Sequence, residues 1–235
     1  MRSADDLPVE LIDAIVDLFH DDTFTLSTVS LLNSTWARRS RYHLFRSLTI
    51  RGHRKICKLE EERPSASFTG LVTTLVLEAP IRATLFVVGV PSYTNGKVPL
   101  QTLINIIDLF PSLTSLTLRN VDVQLPPHSV SSTQGTPTPR VLKRLFLESV
   151  GTYYNYQTNF HCHDIHDILS PFIEVGELRL SQMSFLPGHS QSTKRLSTYR
   201  PQAKPLPFKT LHIGPSVTLH SILRRLRLYG LCGLR

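Results

Sequence analysis

Leu113-Thr114-Ser115-Leu116-Thr117-Leu118-Arg119-Asn120-Val121 is the stretch that decides the fold class. Leu113, Leu116 and Leu118 form an apolar-x-x-apolar-x-apolar frame with small polar residues between them, the pattern of a short strand with one buried face. The frame recurs at Val72/Leu75/Leu77, Leu142/Leu145/Leu147, Val175/Leu178/Leu180 and Phe208/Leu211/Ile213. Successive starts lie 41, 29, 33 and 33 residues apart, and a fixed period of about 20–50 residues marks stacked supersecondary units.

The gaps between frames are long enough to hold crossover helices, which parallel strands require. Leu100 to Phe110 is helical in pattern and stops before Pro111. Asp164 to Leu169 does the same before Pro171, and a polar helix over His53 to Arg63 stops at Pro64. Helix, proline break and short strand give the rhythm of a leucine-rich repeat. Asn120 lies near the position where that family keeps an asparagine, whereas Glu148-Ser149 and Ser181-Gln182 stand there in later units, so the array resembles a degenerate one. A single α/β sheet with no true repeat is the alternative.

In either arrangement the frame residues point inward and the residues between them face out. The expected outer strip is Thr74, Val76, Glu78; Ser115, Thr117, Arg119; Arg144, Phe146, Glu148; Glu177, Arg179, Ser181; and Thr210, His212. Mixed in charge, with Phe146 as its aromatic, this strip suits a protein or peptide ligand better than phosphate chemistry. Val90 to Val98, with its Asn95-Gly96 turn signal, reads as a loop. Residues 125–139 and 185–207, rich in Ser, Thr, Pro or basic residues, read as flexible insertions. Thr218 to Leu226 reads as a helix with no strand and no polar cap after it, the mark of a truncated array.

The first fifty residues follow a different rhythm. Leu7-Pro8 can open a helix, because Pro8 is tolerated at its first turn. Beyond it Leu11, Ile12, Ile15, Val16, Leu18 and Phe19 cover an apolar arc of roughly 160°, against ~100° for an ordinary surface helix. So much apolar surface on a short helix predicts its own domain on one flank and a partner on the other. After the polar turn at Asp21-Asp22, Leu26, Val29 and Leu32 repeat at helical spacing, and Trp36 is the chain's only tryptophan.

Leu7-Pro8-x-Glu10-Leu11, then Val29-Ser30-Leu31, then Asn33-Ser34-Thr35-Trp36 resemble the F-box, and the tail from Arg38 to Thr49 resembles the form common in fungal F-box proteins. The resemblance covers about a fifth of the chain. It implies a three-helix F-box over residues 1–50, followed over 51–235 by a leucine-rich-repeat-like α/β solenoid with a largely parallel sheet. It further implies that Leu7, Pro8, Leu11, Ile15, Val29 and Trp36 serve the Skp adaptor, through it cullin, or the core beneath that interface. The outer strip would then hold an unidentified protein substrate for a ubiquitin ligase whose chemistry resides in other subunits.

Composition bounds the rest. A chain of 235 residues with 41% hydrophobic and 19% charged residues can bury a real core. Three scattered cysteines, Cys57, Cys162 and Cys232, make no disulfide framework and fit a reducing, intracellular compartment, cytoplasmic or nuclear. Asp5, Asp6 and Glu10 stand where a secretory leader would be basic and apolar, and no apolar run reaches eighteen residues, so neither secretion nor a membrane span is expected.

The net charge of +8 keeps a basic nucleic-acid-binding protein, or a general interaction protein without a ligase role, as alternatives. Nucleic acid is disfavoured because no aromatics interleave with the basic residues. His161-Cys162-His163-Asp164-x-His166 has metal-ligand residue types but no second pair at finger spacing, so no metal or other cofactor is expected. Gly96-Lys97 lacks the spacing and hydroxyl of a phosphate loop, and Cys57 near His53 lies on a polar helix. A non-catalytic adaptor is the expected function.

Overall fold

The computed structural model describes residues 7–80, 96–124, 140–154, 157–158, 168–169, 171–182 and 208–214. Three helices come first: α1 (Val9–Leu18), α2 (Thr23–Val29) and α3 (Ser34–Arg46). Each begins where local chemistry supplies a start. The Pro8 carbonyl accepts from Leu11 and Ile12 N–H, the Asp22 carboxylate from Phe24 and Thr25 N–H, and the Asn33 amide oxygen from Thr35 and Trp36 N–H. Side-chain caps of this kind satisfy N–H groups that have no partner inside the helix. α2 ends earlier than the Leu26/Val29/Leu32 spacing predicts. Leu31 and Leu32 N–H bond back three residues in a tight turn that hands over to the Asn33 cap, leaving Leu32 outside the helix.

α3 runs into strand β1 (Ser47–Arg51) with no linker. The Arg46 carbonyl accepts from Thr73 N–H at 2.9 Å, so the last turn of the helix starts the sheet ladder. Parallel pairing claims Ser47 to Arg51 for the sheet. Five more strands follow in that sheet: β2 (Thr74–Glu78), β4 (Ser115–Arg119), β6 (Arg140–Glu148), β9 (Phe172–Ser181) and β10 (Phe208–Ile213). Their order is β1-β2-β4-β6-β9-β10, with every neighbouring pair parallel.

The register explains why the frame repeats. Leu48, Leu75, Leu116, Leu145, Leu178 and Leu211 stand side by side in one row, and Ile50, Leu77, Leu118, Leu147, Leu180 and Ile213 in the next. Each fully buried leucine contributes about 1.5–3 kcal/mol by leaving water. A slip of one residue in any strand would turn its leucines outward, so these rows fix the register. Helices α4 (His53–Glu62), α5 (Ala66–Thr69) and α6 (Leu100–Leu109) lie between strands in the chain, as the crossovers require. α6 commits Leu100, Leu103, Ile106 and Ile107 to the core, followed by Phe110 just before Pro111. At Gly176 a Cβ would come within 2.8 Å of the Lys143 carbonyl, so only glycine lets β9 approach β6 there.

A second sheet was not foreseen. β3 (Gly96–Pro99), β5 (Val121–Gln124), β7 (Gly151–Tyr154) and β8 (Gln157–Thr158) pair in that order, parallel except for the β7–β8 hairpin. Gly96 to Val98, expected in a loop, is thus a strand, and Val98 is buried beside Val123. Asn95 lies outside the described residues. The corner between the sheets is backbone chemistry: Asn120 and Ser149 take positive φ (54° and 50°), as do Gln182 (53°) and Gly52 (102°) one residue past their own strands. Asn120, Ser149 and Gln182 therefore share a left-handed backbone conformation, one unfavourable to most non-glycine residues.

The molecule is mixed α/β with a mostly parallel six-stranded sheet and, among the described residues, six helices. None of those helices is long and apolar enough to cross a membrane. The insertions at 125–139 and 185–207, the His161 to His166 cluster, most of the helix expected before Pro171 and the one expected over Thr218 to Leu226 lie outside the described residues. Ile168 and Leu169 are described, helical and buried.

Candidate interaction surfaces

The helical unit has a core of its own. Ile12 and Val16 from α1, Leu26 from α2 and Trp36 from α3 are buried together, with Ile15, Val29 and Leu44 packed against them. The expected partner-binding set therefore divides. Trp36 is in this core, Ile15 and Val29 are half-buried at its edge, and Leu7, Pro8 and Leu11 are exposed.

The wide apolar arc of α1 is divided as well. Ile12 and Val16 face inward, whereas Leu11 (53% exposed) and Leu18 (79%) lie on the open flank. Phe24 at the start of α2 (82%) and Leu31 in the turn after it (83%) add to the open apolar surface, with Leu32 beside them. Leu18, Phe24, Leu31 and Leu32 were not among the expected site residues. Their signal in the sequence was only their apolar size: Leu18 and Leu32 belong to the same helical periodicities as residues that are buried. Large apolar side chains left in water are candidates for contact with a partner.

The opposite flank of α1 is closed by charge. Arg39 donates to both Asp17 oxygens at 2.6 Å, and His43 Nε2–H donates to Asp17 Oδ1 at 2.7 Å. These hydrogen bonds, Arg39 first and His43 next, hold the Asp17 carboxyl far below the usual carboxylate range. The Arg39 guanidinium also lies 5.0 Å from the Tyr42 ring centre. Asp17 thus locks α1 onto α3, which settles which flank of α1 remains free.

Asp17→Asn is expected to lower the stability of the helical unit by about 1–2 kcal/mol, a range kept modest because the pair is partly solvated. A carboxyl depressed on folding contributes stability that is complete above its unfolded value, ~3.9, and is lost as pH falls towards the folded value. Acid unfolding of α1–α3 below about pH 4 should therefore be steeper in the parent than in Asp17→Asn, as followed by helical circular dichroism. Identical profiles would refute the lock.

The second surface is the outer face of the six-stranded sheet. Parallel register aligns Ser115 with Arg144 and Glu177, Thr117 with Phe146 and Arg179, and Arg119 with Glu148 and Ser181, so the expected strip is one continuous face. Its charges are partnered across strands. Arg51 Nε meets Glu78 at 3.2 Å and Arg119 Nε meets Glu148 at 2.7 Å, which raises the Arg119 pKa further. Such exposed pairs contribute ~0.2–1 kcal/mol each, so they order the face more than they stabilise it. Glu177 differs from these in having two guanidiniums and an imidazole around it. Arg179 Nε approaches at 2.6 Å, His212 Nε2 at 3.1 Å and Arg144 Nε at 3.4 Å. The hydrogen bond from Arg179 is the main cause of its lowered pKa.

His53 and Cys57 do come together, with Cys57 Sγ 3.5 Å from His53 Nε2. His53 Nε2–H, however, donates to the Lys97 carbonyl, so this nitrogen has no lone pair with which to take the thiol proton. Burial, aided by Glu60 and Glu61, pushes the Cys57 thiol up, the opposite of activation.

Compared with known proteins, the chain matches no family model, no curated protein and no solved structure.

Proposed function

We propose that the chain is a non-catalytic substrate adaptor of a Skp–cullin–F-box ubiquitin ligase. In this role α1–α3 act as an F-box that docks the Skp adaptor, and the parallel sheet acts as an eroded leucine-rich-repeat solenoid that holds a protein substrate. The observation that carries the proposal is the division of α1. Its Asp17 flank is locked to α3 and its Ile12/Val16 face is buried, while Leu11 and Leu18 are left open, as are Leu7, Phe24, Leu31 and Leu32 elsewhere in the helical unit. A unit with a closed core and this much exposed apolar surface is built for a partner. The Leu-Pro-x-Glu and Asn-Ser-Thr-Trp motifs favour the Skp adaptor as that partner, inside the cell. The function would be positioning, since proximity alone accelerates a reaction between two held groups.

The test is a pull-down of the full chain with the Skp adaptor, beside a Leu11→Asp/Leu18→Asp variant. Both substitutions are at exposed positions, so the fold should persist while retention drops at least about tenfold. Failure of the parent to be retained would overturn the ligase role, and equal retention of both chains would move the interface elsewhere. A Leu7→Ala/Pro8→Ala variant reports separately on the first turn.

A further inference from the structure

We infer that the Arg144/Arg179 end of the sheet's outer face is the docking point for an acidic segment of a partner protein, an extended peptide carrying carboxylate or phosphate side chains. This rests on the proposal that the outer face holds the substrate, and it names the chemistry of that substrate.

The excess positive charge is local. Across β1, β2, β4 and β6 the outward charges Arg51, Glu78, Arg119 and Glu148 alternate in sign and pair off. Further along, two guanidiniums and one imidazole share the single carboxylate of Glu177. Depth separates the two signs: the Arg144 side chain is 71% exposed and that of Arg179 53%, against 19% for Glu177. Glu177 thus lies beneath the two forks and anchors them from below.

The forks are also half-used. Each guanidinium has five N–H donors. Nε is the atom that approaches Glu177, and the terminal nitrogens of Arg144 and Arg179 make no hydrogen bond among the described residues. Two guanidiniums gathered by one carboxylate, with terminal donors that no described residue takes up, form a preorganised receptor for an oxyanion, because bidentate charge-assisted bonds are strong and geometrically specific. Phe146 stands in register with Arg179 and supplies an apolar contact next to the charge.

Residues 178–235 contain ten lysines and arginines and no aspartate or glutamate. A side-chain balance of this sign favours an acidic partner and speeds its encounter.

A peptide fits better than a nucleic acid. A continuous phosphate backbone would have to cross Glu148 and Glu78 on the same face, which already occupy Arg119 and Arg51, whereas a peptide can set one or two acidic side chains on the forks. Phe146 alone gives no series of stacking platforms for bases.

The experiment is fluorescence anisotropy on the full chain with four probes: a labelled oligoglutamate peptide, a phosphoserine peptide of equal length, an oligolysine peptide and an oligothymidylate. At least one acidic peptide should bind saturably and oligolysine should not. The tighter of the two acidic peptides identifies carboxylate or phosphate as the natural group. Arg144→Gln/Arg179→Gln should weaken the acidic peptide at least about tenfold, with the sheet's circular dichroism unchanged. Glu177→Gln keeps an amide oxygen to accept from the forks and removes the competing negative charge, so it should bind at least as tightly as the parent. If the cluster were merely structural, Glu177→Gln would weaken binding as the arginine variant does. Binding of neither acidic peptide, unchanged binding by the arginine variant, or tighter and steeply salt-dependent binding of oligothymidylate would each overturn the inference. Retention of the Skp adaptor by Arg144→Gln/Arg179→Gln separates failure here from failure of the adaptor role.

Discussion

Leu145→Ala is expected to destabilise the sheet by about 3–5 kcal/mol, the upper part of the range for leucine truncation in a core. Leu145 is fully buried and flanked in register by Leu116 on β4 and Leu178 on β9, themselves buried. A hole in the middle of that row has packed side chains on both sides and backbone ladders that resist collapse, so little of the cavity can be recovered by relaxation. Leu211→Ala removes the same atoms from the same row at its far end, where the side chain is only half-buried, and should cost clearly less. Denaturant unfolding followed by circular dichroism measures both, provided the slope of each transition is unchanged. Equal losses at the two positions would mean that the leucine rows are not one continuous core.

Trp36→Ala is the second large effect, about 3–5 kcal/mol, and its consequence is more local. The core of α1–α3 consists of Ile12, Val16, Leu26 and Trp36 with three half-buried neighbours, separate from the larger core of the sheet. A unit this small has no reserve from which to replace its largest member. The amides of α1–α3 should lose hydrogen-exchange protection while those of β4 and β6 keep theirs. Loss of Skp-adaptor retention in this variant would therefore follow from unfolding, whereas in Leu11→Asp/Leu18→Asp it would occur with the helices intact. Full protection of α1–α3 in Trp36→Ala would contradict the separate core.

The strands of the large sheet were legible because their spacing is chemical. One side of each strand must be apolar, and the double polar step before it marks where the chain enters the sheet. The same frame is present at Phe45/Leu48/Ile50, 27 residues before Val72, but it begins inside the basic tail that ends α3 and does not stand out from it. Only the pairing of Ser47–Arg51 with Thr74–Glu78 reveals it as the first strand. β3, β5, β7 and β8 were illegible for a different reason. With two to four residues each they have no periodicity, and they exist because a left-handed residue after β4 and after β6 turns the chain into a second ladder.

The outer strip was legible residue by residue, since side chains alternate along a strand. Its electrostatics were not. That Glu177 gathers Arg144, Arg179 and His212 depends on which strands become neighbours, and these residues lie up to 68 positions apart.

By itself the sequence determined the α/β class, the inward rows of leucine and the surplus of apolar surface on α1, because each follows from local spacing of apolar side chains. Tertiary structure alone decided which part of that surplus stays in water. The Asp17–Arg39–His43 contacts pull one flank of α1 onto α3 and the shared core takes Ile12 and Val16, so Leu11 and Leu18 are left facing out. The physical reason is that apolar character is a property of each residue, whereas exposure is set by which neighbours the folded chain brings against it.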